Sequence, residues 1–205
     1  SDGAGGTATG TVTVNVAAVN DNPIANPDTF NGTEDTTLNL PAGGTPIVAG
    51  DVRFNDRPGP ATATDEAGQT LTVTGVSAAS SKGGTVSLAA GVISYTPAKD
   101  FNGTDTFTYT LSDGAGGTAT GTVTVNVAAV NDAPTAFNDS FSVDEDSTAN
   151  SLDLLADNGS GADVAGPANE TSDSITITRV GPASGGGTTF TTANGGVVTI
   201  ASGGK

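Results

Sequence analysis

Residues 106–111, TFTYTL, put Phe107, Tyr109 and Leu111 on one side of an extended chain and Thr106, Thr108 and Thr110 on the other. That two-residue period belongs to a strand with one buried face. The same alternation runs through TVTVNV at 11–16 and again at 122–127, through LTV at 71–73 and through ITI at 175–177. No stretch carries apolar residues at the three-to-four spacing of a helix. Thr, Val and Ile fill these runs, while Asn31-Gly32, Asn102-Gly103 and Asp113-Gly114 mark turns between them. The pattern predicts an all-β chain with seven strands at about 25–31, 37–40, 70–77, 85–88, 92–96, 105–111 and 118–128. Its expected core is Phe30, Leu71, Val73, Ile93, Tyr95, Phe107, Tyr109, Leu111, Val123, Val125 and Val127, with Thr106, Thr108 and Thr110 facing water.

The strands recur as a unit. Residues 1–23, SDGAGGTATGTVTVNVAAVNDNP, return at 112–134 with one change, Asn22 against Ala133, a period of 111 residues. That length suits one β-sandwich. Asp28, Phe30, Glu34 and Asp35 align with Asp139, Phe141, Glu145 and Asp146, and LTVTGV at 71–76 aligns with ITITRV at 175–180 after 7 residues are lost from a loop between them. The expected organisation is a complete repeat at 20–130. Residues 1–19 read as the last hairpin turn and final strand of a preceding repeat, and 131–205 as the first five strands of the next. A repeat lacking strands leaves unpaired edges, so 131–205 is expected to be the less stable part.

Composition removes several function classes. The chain has 22 acidic residues against 6 Lys plus Arg, a net charge of −16. A field of that sign repels nucleic acid and anionic membranes. No stretch approaches the roughly 20 apolar residues of a membrane helix, so no direct membrane insertion is expected. Arg53, Arg57, Lys82 and Lys99 are too scattered for a basic patch and read as solvated surface charges. With no Cys and no His there is no disulfide, thiolate nucleophile, imidazole base or usual transition-metal site. The glycine runs at 114–117 and 185–187 fit neither phosphate-binding fingerprint and read as hairpin turns.

The acids have a positional logic. In a seven-strand antiparallel sandwich alternate strands run in opposite directions, so the first turn, with Glu34 and Asp35, and the connection carrying Asp100 and Asp105 meet where the last strand exits into Asn131 and Asp132. The following repeat presents a loop with Asp157, Asn158 and Asp163. The equivalent upper junction uses Asn20 and Asp21 with Asn55, Asp56, Asp65, Glu66 and Asp113, and Glu145 and Asp146 repeat the Glu34-Asp35 pair. Hard oxygens on loops suit calcium, which takes 6 to 8 of them at about 2.3–2.6 Å. Adjacent like charges such as Glu34-Asp35 repel unless a cation lies among them, whereas for Asp113 the turn is the better explanation, since Asp-Gly in a hairpin is a turn signal in its own right.

FNGTDTFTYTLSDGAGGTATGTVTVNVAAVNDAP at 101–134, NDNP at 20–23, the Glu34-Asp35 pair, Asn55-Asp56 and GVISYTP at 91–97 resemble the cadherin-like tandem repeats of large bacterial RTX-type surface adhesins. The resemblance implies immunoglobulin- or cadherin-like sandwiches with Greek-key connections, calcium at the joints, and a secreted or cell-surface chain whose immediate partners are its neighbouring repeats. Host or surface glycans and proteins would be met through other regions. The expected function is an extender, not an enzyme. Paired carboxylates could hydrolyse glycosides, yet the acids here sit at the domain ends. A carbohydrate- or cell-binding module is a second reading, weakened by the absence of Trp and by Tyr95 and Tyr109 lying within strands. A calcium-independent spacer attached to a secreted enzyme is the third.

Overall fold

The computed structural model describes residues 3–144, 150–157, 161–167, 174–177, 188–191 and 197–200. The chain divides into two compact units, one of Ser1–Phe30, Thr37–Thr96 and Asp105–Val125 and one of Asn31–Thr36, Pro97–Thr104 and Asn126–Lys205. The described residues are all-β and contain no helix, so none is long and apolar enough to cross a membrane.

Seven strands follow the predicted order: β1 (Asp28–Thr33), β2 (Leu38–Pro41), β3 (Thr72–Val76), β4 (Thr85–Ala89), β5 (Val92–Thr96), β6 (Gly103–Ser112) and β7 (Thr118–Ala128). They form two sheets, β1-β7-β6-β3 and β2-β5-β4. β2 and β4 flank β5 antiparallel, with Leu38 and Val86 both opposite Tyr95. β3 pairs with β6 through a bulge between Val73 and Gly75. The chain thus passes back and forth between the two sheets, as in an immunoglobulin-like sandwich.

The inner faces carry the alternating residues. Ile93, Tyr95, Leu111, Val123 and Val125 are buried completely or nearly so, with Leu71, Val73, Phe107, Tyr109 and Val127 beside them. Leu40, Ala42, Val52 and Val86 complete the core. The rings of Tyr95 and Phe107 stack with centroids 5.7 Å apart. Gly121 lets β7 pass against Tyr109, since an added Cβ would lie 2.2 Å from its ring. Phe30, expected in the core, is only partly buried, and of the three Thr expected to face water Thr108 does so fully while Thr106 and Thr110 do so in part.

Two expectations are corrected. Arg53 is 3% exposed rather than a surface charge, paired with Asp51 at 2.7 Å and donating to the Leu71 and Gly44 carbonyls at 2.8 and 3.1 Å. The core is thin, and the long β2-β3 loop fills it with a neutralised, hydrogen-bonded pair. Residues 7–17 carry the sequence of β7 yet form no strand, and Val12, Val14, Val16 and Val19 are 75–88% exposed. A strand exists only where a neighbour takes its N–H and C=O groups. In 131–205 the described residues form an antiparallel hairpin, β8 (Thr189–Thr191) with β9 (Val197–Thr199), and a bridge between Thr135 and Val164, while 174–177 lie outside strands. Residues 178–180 of the expected ITITRV strand lie outside the described residues.

Candidate metal centre

The first turn and the β5-β6 connection each set an aspartate in the left-handed region, Asp35 at φ 55° and Asp100 at φ 56°. Asp tolerates that conformation because its short side chain bonds locally. The Asp100 amide donates to Asp35 Oδ1 at 3.3 Å, joining the two turns. Asp132 joins them, and the three carboxylates each place an oxygen within 4.8 Å of the others. A shell of radius 2.3–2.6 Å has a diameter of about 4.6–5.2 Å, so these oxygens fit around one calcium ion, and the donor set is entirely hard oxygen. Glu34, 1% exposed, stands beside them and accepts from the Val130 amide at 2.6 Å, holding the strand exit in place. Asn131 is exposed and caps the Asp132 carbonyl at 3.0 Å. Lys99 reaches both oxygens of Asp100, at 2.7 and 2.6 Å, from an otherwise exposed position. That hydrogen bond, with the charges of Asp100, Asp35 and Asp132, raises its pKa above the usual lysine value. Lys99, Asp100, Asp132, Thr135, Val164 and Pro167 line a cleft of about 410 Å³.

Asp105 is not part of this group. It is fully buried, and its oxygens accept from the Ser80, Ser81 and Tyr95 hydroxyls and the Lys82 and Thr106 amides. Burial pushes its carboxyl up, but the bonds from Ser80, Tyr95, Ser81 and Thr106 outweigh it and hold the pKa below the ordinary value. A carboxylate so enclosed has no oxygen turned to an ion. The sequence carried the signal: Asp105 is in phase with Phe107, Tyr109 and Leu111, so it points inward. Asp100, placed in the same connection, supplies the carboxylate expected from Asp105.

The acids expected together at the upper junction fall into two hydrogen-bonded groups. In one, Asn20 Nδ2 donates to Asp113 at 3.0 Å, Gln69 donates to Asn20 Oδ1 at 2.6 Å, and the Asp21 amide donates to Glu66 at 2.8 Å. Asp113 also closes its own hairpin by accepting from the Ala115 and Gly117 amides. The Asn20 bond and those amides hold its pKa below normal. Among the described residues the buried Glu66 Oε2 and Gln69 Oε1 accept no hydrogen bond. Glu66 stands where the sequence placed it, at this junction, whereas Gln69 was not among the candidates.

The second group is Asn55, Asp56, Asp28 and Tyr109. Asn55 spends its amide on the Pro27 carbonyl at 3.0 Å and Asp56 accepts from the Asn26 amide at 2.8 Å, so both tie their loop to the segment entering the repeat. The Tyr109 hydroxyl, with one hydrogen, meets three acceptors: Asp56 at 2.8 Å, the Val52 carbonyl at 3.2 Å and Asp28 at 3.3 Å. Burial and the Asp56 charge raise Asp28 from 3.8 to about 6. A carboxyl whose folded pKa exceeds its unfolded one stabilises the fold at low pH, and that stability is lost as pH rises through about 6. In chelator, denaturant unfolding at pH 5 is therefore expected to give a stability about 1–2 kcal/mol above that at pH 7. Asp28→Asn should flatten the difference. Equal pH dependence in the variant would assign it to other groups.

Asp157 is exposed and accepts from the Gly161 amide at 3.0 Å, a bond that closes its own loop. Asn158, Glu145 and Asp146 lie outside the described residues.

Residues 20–126, more than half of the chain, match the profile of the bacterial Ig domain. No curated protein matches. Among solved structures, an endo-fucoidan hydrolase of glycoside hydrolase family 107 matches at 20% identity with a TM-score of 0.32, and a single-substitution variant of it at 21% with a TM-score of 0.31. Each match covers 56% of this chain and 15% of the hydrolase chain.

Proposed function

The chain belongs to the bacterial Ig-domain family, and from that premise we propose that it is a calcium-stiffened extender segment of a secreted or cell-surface bacterial adhesin of the cadherin-like, RTX type. The observation that carries this reading is the convergence of Asp35, Asp100 and Asp132 within 4.8 Å. Asp132 follows the end of β7 at Ala128 and precedes the next repeat, so a cation held by all three carboxylates would tie the chain leaving one domain to the turns of that domain. Its role is mechanical. The ion screens charges that otherwise repel, and a row of such joints holds a distal binding region away from the cell. The reading assigns no catalysis, and its partners are the neighbouring repeats. Glycans or proteins of another surface would be met elsewhere in the molecule.

A calcium-independent spacer is favoured by one specific observation: Lys99 already supplies a positive charge to Asp100. Calorimetric titration separates the two. Extracellular calcium sites bind at about 10⁻⁴ to 10⁻³ M, so wild type is expected to show that affinity and Asp100→Asn to lose one site. At a hundredfold excess over the dissociation constant, calcium should add about 2.7 kcal/mol of stability. A melting temperature indifferent to both chelator and Asp100→Asn would leave only the spacer.

A further inference from the structure

The segment entering each repeat is fastened in the same way twice. In the first repeat the Ile24 amide donates to the Arg57 carbonyl at 2.8 Å, the Arg57 amide returns the bond at 3.0 Å, and the Asn26 amide donates to Asp56 Oδ1 at 2.8 Å. In the second, Thr135 and Val164 exchange both bonds at 3.0 Å and the Phe137 amide donates to Asp163 Oδ1 at 2.6 Å. Thr135 and Phe137 stand 111 residues after Ile24 and Asn26, whereas Asp163 and Val164 stand only 107 after Asp56 and Arg57. The intervening loop has lost four residues, and Asp56-Arg57 and Asp163-Val164 share nothing but the aspartate. A geometry kept through a change in loop length and sequence requires its one common side chain, an ionised acceptor for a backbone N–H.

We infer that Asp163 is a positioning residue for the triad, a latch that holds the linker so that Asp132 stays against Asp35 and Asp100. The linker is pinned at both ends: Glu34 holds the Val130 amide and Asp163 holds that of Phe137. Asp132 lies between them. Thr135 and Val164, the bridged pair next to the latch, line the same cleft as Asp100 and Asp132. Asp163 gives Oδ1 to the Phe137 amide and is not one of the three converging carboxylates, so its role is to act through the chain. This assignment rests on the calcium reading above, and it gives that site a determinant outside its ligand set.

The test is calcium titration of the full chain, the triad being identified as the site missing from Asp100→Asn. Asp163→Ala is expected to weaken calcium at that site by about tenfold or more, the usual loss when a group that orients a ligand is removed. Asp163→Asn keeps an oxygen for the Phe137 amide and is expected to retain most of the affinity. Wild-type affinity in Asp163→Ala, even with a lower melting temperature, would make the latch purely structural. Equal losses in the Ala and Asn variants would make the carboxylate itself a ligand. Either result overturns the positioning role and leaves the extender reading intact, whereas no calcium uptake by the wild type removes both.

Discussion

Replacing Arg53 by Ala lowers the stability of the domain by about 3–5 kcal/mol. The guanidinium is 3% exposed and holds the Asp51 carboxylate through Nη2 at 2.7 Å and Nε at 3.0 Å, and the Leu71 and Gly44 carbonyls on two other segments. Removing it strands a carboxylate that is only 2% exposed, a charge that can neither reach water nor find another cation. The double change of Asp51 and Arg53 to apolar residues of similar volume removes both charges together and is expected to recover most of the loss. Urea unfolding of the single and double variants measures this directly. A single variant within 1 kcal/mol of wild type would mean that solvent reaches the pair.

Asp105→Ala carries a similar cost for a different reason, about 3–6 kcal/mol, because donors lose their acceptor while enclosed. The Ser80, Ser81 and Tyr95 hydroxyls can turn to other partners, but the Lys82 and Thr106 amides are fixed by the backbone. The pH sign is opposite to that at Asp28. The folded pKa of Asp105 lies below the ordinary value, so its contribution is present above the unfolded pKa and is lost as pH falls through the folded one. Acid unfolding of wild type should be steeper below about pH 4 than that of Asp105→Ala. Calcium affinity at the triad is expected to be unchanged in this variant. A lost calcium site would return Asp105 to the ligand set.

These two residues mark where sequence reading stops. The strands were legible because each buries one face, and a two-residue period survives in TFTYTL and TVTVNV without knowledge of neighbours. The meeting of Asp35 and Asp132 followed from strand direction alone. Choosing between Asp100 and Asp105 needed that period to be weighed against strand direction: direction brings the whole connection to one end of the domain, and only the phase with Phe107 turns Asp105 inward. Arg53 sits in a loop whose composition says surface, and only the path of that loop across the sandwich makes it interior. The kinship of Asp56 and Asp163 is hidden because loops change length while the bonds they form do not. The identical runs at 7–17 and 118–128, one exposed and one in the centre of a sheet, place the remaining limit in the partner rather than in the strand.

The pairing of β1 with β7 has a consequence under load. The Glu34 amide, just past the end of β1, donates to the carbonyl of Ala128, the last residue of β7, so the two strands run in the same direction. A pull applied to the chain before β1 and after β7 then drags them past each other lengthwise. Their hydrogen bonds share the force and must give way together instead of opening one by one. Resistance to stretching is set by the rate of that rupture, and a cation gripping Asp132 would delay it by keeping β7 from sliding at the end where the tension leaves.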